Sequence, residues 1–130
     1  MKLGAVALDT PDPAGLARFY AGLLGWEVDE QESSEDWVEV RGDGHVLAFQ
    51  LAPDHVRPTW PAGGVPQQVH LDLHVPAFED AERRALELGA TVLDTSPQHP
   101  TWRVYADPAG HPFCLCLDGS GQAPEEASGG

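Results

Sequence analysis

Basic residues are scarce in this 130-residue chain: seven Lys plus Arg stand against 21 Asp plus Glu, for a formal charge of −14. Such a surface repels phosphate backbones, so nucleic acid is not an expected partner. Long apolar runs are missing as well. No stretch approaches the roughly 18 residues that a membrane span needs, and the opening MKLGAVALDT is too short and too soon polar for a signal peptide. No membrane partner is expected, and the cytoplasm is the expected location. Cysteine is limited to Cys114 and Cys116, two apart in FCLCL. A strand would put both thiols on one face, about 6–7 Å apart along the chain, which disfavours a disulfide and predicts reduced thiols. The length leaves room for one core, since domains run roughly 100–150 residues.

What is present suits a packed domain. Hydrophobic residues make up 42% of the chain and include four Trp, four Phe and two Tyr, which excludes compositional disorder. A first strand is read from Leu3 to Asp9. TPDP then marks a turn in which Asp12 caps a helix that tolerates Pro13 in its first turn. Leu16, Phe19, Tyr20, Leu23 and Leu24 form one apolar stripe, and Gly25 stands where a left-handed residue ends a helix. Trp26 to Val28, Trp37 to Val40 and HVLAFQL supply three short strands, the last two joined by a Gly42-Asp43-Gly44 turn. The acidic stretch Asp29 to Asp36 lacks the glycine and alternation of a calcium loop and reads as solvated.

Residues 52 to 68 hold four prolines and two glycines, a composition that suits a connection between two halves. VHLDLHV follows as a strand. Phe78, Ala81, Ala85 and Leu88 give a second helical stripe that ends at Gly89, and Ala90 to Leu93, WRVYA and PFCLCL give three more strands. Both halves therefore run strand, helix and three strands. Their landmarks repeat at an offset of about 65 residues, with Ala5 matching His70, Gly25 matching Gly89, Trp37 matching Trp102 and Phe49 matching Phe113. Residues 119 to 130 carry no apolar anchor and are expected to be a disordered tail.

DTPDPAGLARFYAGLLGWEV in the first half, with HLDLHV, AERRALELGATVL and ADPAGHPFCLCL in the second, resembles the vicinal-oxygen-chelate superfamily. That superfamily contains glyoxalase I, extradiol dioxygenases and the bleomycin- and fosfomycin-resistance proteins. The combination of RPTWP, PQQVHLDL and DPAGHPFCL is similar to a glyoxalase-like subgroup abundant in actinobacteria. The resemblance covers about residues 3 to 118. It implies an α+β fold of two βαβββ modules, residues 3–51 and 69–117, within a single domain 1–118. Each module curls into a half-open barrel with helices outside, and the modules join within one chain or across two. A homodimer is expected on the same ground.

The resemblance also implies a divalent metal held by His or Gln from the first strand and Glu from the last strand of each module. The matching positions are Ala5, Gln50, His70 and Cys114, with Cys116 the alternative for the last. Ala5 has no donor atom and Gln50 is a weak one. A catalytic metal usually takes about three protein ligands and hard cations want carboxylates, so no cofactor is expected. His70, Gln50 and Cys114 remain the metal-ligating candidates.

Strand periodicity puts Asp72 and His74 on the face of His70, and Ala7 and Asp9 on the face of Ala5. His70 and Asp72 are either a hydrogen-bonded pair at the module seam or a catalytic pair, with His70 as general base and Asp72 orienting it. Cys114 reads as a small core hydrophobe ahead of a nucleophile activated by His70. Trp60 and Trp102 either wall a planar ligand or plug the barrel edge, and Arg57 lies near the rim. His45, His55, His99 and His111 are expected in exposed turns and loops.

The expected function is binding of a small, hydrophobic or planar molecule in a metal-free cavity, of the sequestering or resistance type. Gln50, Trp60, His70, Asp72, Trp102 and Cys114 are the candidate ligand contacts. The alternative is a lyase or isomerase in which His70 acts as general base or weak metal ligand.

Overall fold

In a computed structural model, which describes residues 1–61 and 63–121, the chain forms ten elements and one short 3-10 turn at Glu30–Glu32. They are β1 (Val6–Thr10), α1 (Pro13–Leu24), β2 (Glu27–Asp29), β3 (Trp37–Gly42), β4 (His45–Leu51), β5 (Leu71–Val75), α2 (Phe78–Leu88), β6 (Thr91–Asp94), β7 (Trp102–Ala106) and β8 (Pro112–Leu117). The two halves give two four-stranded sheets of matching order, β1-β4-β3-β2 and β5-β8-β7-β6. β1 runs parallel to β4 and β5 parallel to β8, while the remaining pairs are antiparallel. This is the α+β arrangement of two βαβββ modules, and the sheets are not closed into a barrel. Residues 122–130, most of the expected tail, lie outside the described residues.

Local chemistry sets the helix ends. The Asp12 carboxylate accepts from the Gly15 N–H at 3.0 Å, which satisfies one of the free donors of the first turn of α1. Gly25 closes the helix at φ 71°, a conformation costly for a residue with a Cβ. The hairpin between β3 and β4 has a two-residue Asp43-Gly44 loop, both residues at positive φ, as a tight antiparallel turn requires.

A single core binds the modules together. Tyr20 of α1 stacks on Phe49 of β4 with ring centroids 5.6 Å apart, and its edge meets Phe113 of β8 at 6.3 Å. Phe113 also contacts Phe19 at 5.9 Å and Tyr105 at 5.5 Å. Tyr20, Phe49, Tyr105 and Phe113 are all fully buried.

The ladders correct the repeat. Val6 stands opposite Leu47 and its counterpart Leu71 stands opposite Phe113, so Leu47, not Phe49, is the partner of Phe113. Ala48 therefore matches Cys114, and Gln50 matches Cys116. The second antiparallel pair agrees, because Trp37 lies opposite Gln50 and Trp102 opposite Cys116. The slip arises at the β7–β8 connection, where Asp107 to His111 replace the two-residue loop of the first module.

Candidate functional site

Alternation along each strand sorts side chains between a covered and an open face. On β5 and β8, Leu71, Leu73, Val75, Phe113 and Leu115 join the core. Asp72 and Cys114 share one rung of the open face with Val104, and His74 and Cys116 share the next with Trp102. His70 immediately precedes β5. Its Nε2 donates to Asp72 Oδ1 at 2.9 Å, and a carboxylate acceptor leaves the neutral ring's Nδ1 as a free acceptor. Both side chains are partly open to water, His70 at 34% and Asp72 at 59%. The pair anticipated from PQQVHLDL is thus formed.

His70, Asp72 and Cys114 bring one donor atom each to within 4.8 Å of one another. Burial, reinforced by the negative charge of Asp72, pushes the Cys114 thiol up to about 12. The same two causes, in the same order, raise the Cys116 thiol. Both shifts oppose thiolate formation, which counts against Cys114 as a nucleophile. It packs instead as a small buried side chain, 4% exposed.

Beside the trio lies a cavity of about 620 Å³ between the N-terminal segment of the first module and β5. Its walls are mostly apolar, with Leu3, Val6, Leu24, Leu47, Leu71 and Leu73 among them. Trp26 and His45 form a stacked pair on one side, with centroids 6.0 Å apart. Asp72 and His74 supply polar groups on the other, so Asp72 belongs to both the cavity and the trio.

Other expected contacts lie elsewhere. Gln50 is exposed on the open face of the first sheet, opposite Asp9 and Trp37. Trp60 is half-buried in the 52–70 connection, preceding a cis bond to Pro61, and does not line this cavity. Trp102 shares the open face of the trio but is 37% exposed and stacks on His99 at 3.7 Å. The Arg57 guanidinium donates to the Pro108 carbonyl at 2.6 Å. Trp26 was missed by the sequence reading.

Three of the four histidines expected in exposed turns and loops are not exposed: His111, His55 and, between β6 and β7, His99. His111 is 4% exposed and donates from Nε2 to the Asp9 carbonyl at 2.7 Å. His55 is half-buried and donates from Nε2 to the Ala109 carbonyl at 2.9 Å. Residues far apart in sequence meet here because the β7–β8 turn folds back over β1.

The fold and its open, apolar cavity define the class, a small two-module α+β protein built like the glyoxalases. A family model described as "Glyoxalase-like domain" matches residues 5–116, and the chain belongs to that family, within the vicinal-oxygen-chelate superfamily. A glyoxalase/bleomycin resistance protein/dioxygenase family enzyme from Burkholderia phytofirmans PsJN is similar with a TM-score of 0.71 at 17% identity, covering 90% of this chain and 98% of that one. The fosfomycin resistance protein FosX from Mesorhizobium loti gives 0.65 at 13% identity, covering 98% and 97%. A lactoylglutathione lyase from Agrobacterium tumefaciens gives 0.62 at 17% identity, covering 91% and 94%. At these identities the likeness is one of fold. No curated protein matches the sequence.

The donor set does not fit the metal site that the superfamily implies, in which both modules contribute ligands. Ala5, Ala7 and Ala48 supply no side-chain donor from the first module, where Asp9 and the weak donor Gln50 face each other on the next rung, and among the described His, Cys, Asp and Glu residues the one close cluster, His70, Asp72 and Cys114, lies in the second module.

Proposed function

We propose that the protein binds a small, largely apolar or planar molecule in the 620 Å³ cavity and does so without a resident metal. The carrying observation is the lining: apolar side chains, an aromatic wall at Trp26 and His45 with the Asp43 carboxylate beside Trp26, and further polar groups at Asp72 and His74. Cavities of roughly 300–1,000 Å³ with few convergent polar groups are the usual form of a small-molecule site. The homodimer expected from the family belongs to this reading, and light scattering on the full chain measures it.

A second reading is favoured by the His70–Asp72 hydrogen bond. It aligns the imidazole and leaves Nδ1 to take a proton from a bound carbon acid, as a lyase or isomerase requires. The two readings separate cleanly. A sequestering protein returns its ligand unchanged, and His70→Ala leaves affinity within about twofold, because that ring does not line the cavity. An enzyme converts the ligand and loses turnover with His70→Ala.

Elemental analysis of protein purified without chelator comes first, followed by thermal melts with Mn, Fe, Co, Ni and Zn, since a bound metal raises the melting point by mass action. No stoichiometric metal and no shift are expected. Stoichiometric zinc with a large shift lost in Cys114→Ser would overturn the metal-free reading and assign the His70, Asp72 and Cys114 trio as its site. Ligand screening then follows tryptophan fluorescence. Quenching should vanish in Trp26→Phe and persist in Trp60→Phe and Trp102→Phe.

A further inference from the structure

The connection between β6 and β7, residues 95–101, folds back on the strand it leads into. His99 lies flat on Trp102, with ring centroids 3.7 Å apart and planes 10° from parallel. The backbone closes around the pair: the His99 N–H donates to the Ser96 carbonyl at 3.2 Å and the Trp102 N–H to the His99 carbonyl at 3.4 Å.

Both ring nitrogens of His99 meet acceptors. Nδ1 stands 2.8 Å from the Trp102 carbonyl oxygen, which can only accept, so this nitrogen carries a hydrogen. Nε2 has almost no accessible surface and no hydrogen-bond partner, and Oδ2 of Asp94 stands 3.1 Å from it, out of line for a hydrogen bond. That carboxylate is fixed in turn, because its Oδ1 accepts from the Ser96 N–H at 2.9 Å. The Ser96 N–H and then His99 hold the Asp94 carboxyl below its usual range, so it is ionised at neutral pH. A neutral ring with its hydrogen on Nδ1 turns the bare lone pair of Nε2 toward a carboxylate, two acceptors face to face in a place closed to water. A doubly protonated ring removes the conflict and lays a cation on the indole face. Asp94 is the one charged side chain among the described residues that acts on the ring. Beyond Trp102 the same rung runs through Cys116 of β8 to His74 of β5, and His74 in turn acts on Asp118.

We propose that the β6–β7 connection is a pH-operated latch: the His99 imidazolium clamps it shut between Asp94 and the Trp102 carbonyl, and loss of the second ring proton opens it and frees the Trp102 indole from its stack. The Trp102 carbonyl and then Asp94 raise the ring's pKa above the ordinary 6.5, so the latch is closed below pH 6.5 and opens as pH climbs through the folded value. Trp102 stands at the end of a rung that reaches His74, in the wall of the larger cavity. The latch therefore sets whether that end of the open face carries a fixed aromatic pair or a free indole. It does not depend on what the cavity binds.

NMR of the histidine ring nitrogens and the tryptophan indole N–H groups, on the full chain from pH 5 to pH 9, tests it. More than half of the His99 rings should be doubly protonated at pH 6.5. As the ring loses a proton at higher pH, the Trp102 indole signal and the amides between Thr95 and Trp102 should shift with the same midpoint. Asp94→Asn keeps an acceptor for the Ser96 N–H and offers Nε2 an amide donor, so a neutral ring is tolerated in the closed connection. The His99 midpoint should then fall by about one pH unit, and the alkaline movement of Trp102 should be lost. His74→Gln removes the other imidazole on the rung and should leave both midpoint and movement in place. A mostly neutral His99 at pH 6.5, a Trp102 signal that stays put while His99 titrates, a midpoint unchanged in Asp94→Asn, or a response lost in His74→Gln would each overturn the proposal.

Discussion

Asp107 shows how one side chain couples the two modules. It is fully buried, and its Oδ2 accepts from the Tyr20 hydroxyl at 2.6 Å while Oδ1 accepts from the Ala109 and His111 N–H groups at 2.9 and 3.0 Å. Burial lifts its pKa, and the Tyr20 hydroxyl, the His111 side chain and the two N–H groups pull against that rise. Burial also raises the Tyr20 phenol, with the Asp107 charge adding to it, so this proton stays on the tyrosine. Tyr20→Phe keeps the ring packing and removes one donor from a buried carboxylate. A loss of about 1.5–3 kcal/mol in urea unfolding is expected, the range for hydrogen bonds to charged groups. Tyr105→Phe makes the comparison. Its hydroxyl donates to Glu82, whose side chain is 27% exposed, so water replaces the lost donor and about 0.5–1.5 kcal/mol is expected.

Among the elements, α1 was the most legible in sequence. Its apolar stripe, Asp12 and Gly25 all act within a few residues, and Pro13–Leu24 forms between the predicted cap and stop. The strands were found, with their ends displaced: β1 starts at Val6 and not Leu3, and β5 at Leu71 and not Val69. Strand ends depend on partners across the ladder, which no local pattern contains. The β6–β7 connection makes the same point for side chains. His99 was expected to be exposed, yet it stacks on Trp102, donates from Nδ1 to the Trp102 carbonyl at 2.8 Å and sets Nε2 3.1 Å from Asp94. That last contact lacks hydrogen-bond geometry. The Trp102 carbonyl and then Asp94 raise the His99 pKa above the ordinary 6.5. A raised imidazole stabilises the fold fully below pH 6.5 and loses that contribution as pH climbs through the folded value. The parent should therefore unfold at lower urea at pH 8.5 than at pH 5.5 by more than His99→Phe does. Equal differences in both proteins would show that His99 does not carry the effect.

For the molecule as a whole, the shared aromatic core joins the two modules, and they are expected to unfold as one cooperative unit. Phe113 of the second module touches Phe19 and Tyr20 of the first as well as Tyr105 of its own. Phe113→Ala should cost about 3–5 kcal/mol, the range for emptying a core aromatic site. Trp37 and Trp102, one in each module, should report the same lowered midpoint. Separate midpoints would mean that the modules unfold independently. Among the described residues no helix is long and apolar enough to cross a membrane, in line with the absence of any long apolar run.

Sequence by itself determined the features written in neighbouring residues: two helices with their closing glycines and the Asp12 cap of the first, the Asp43-Gly44 hairpin, the doubled order of elements and the His70–Asp72 pair two residues apart at the start of β5. The motifs were also sufficient to identify the family. Tertiary structure alone decided everything that depends on where distant segments come to rest. It set the register of β8, and so paired Gln50 with Cys116 as repeat equivalents, through a five-residue turn whose length says nothing about the rung it closes on. It put Trp26 and not Trp60 in the cavity wall. It also buried His111 and brought His55 beside it, because the β7–β8 turn packs on β1 from about a hundred residues away and covers side chains that local polarity marks as exposed.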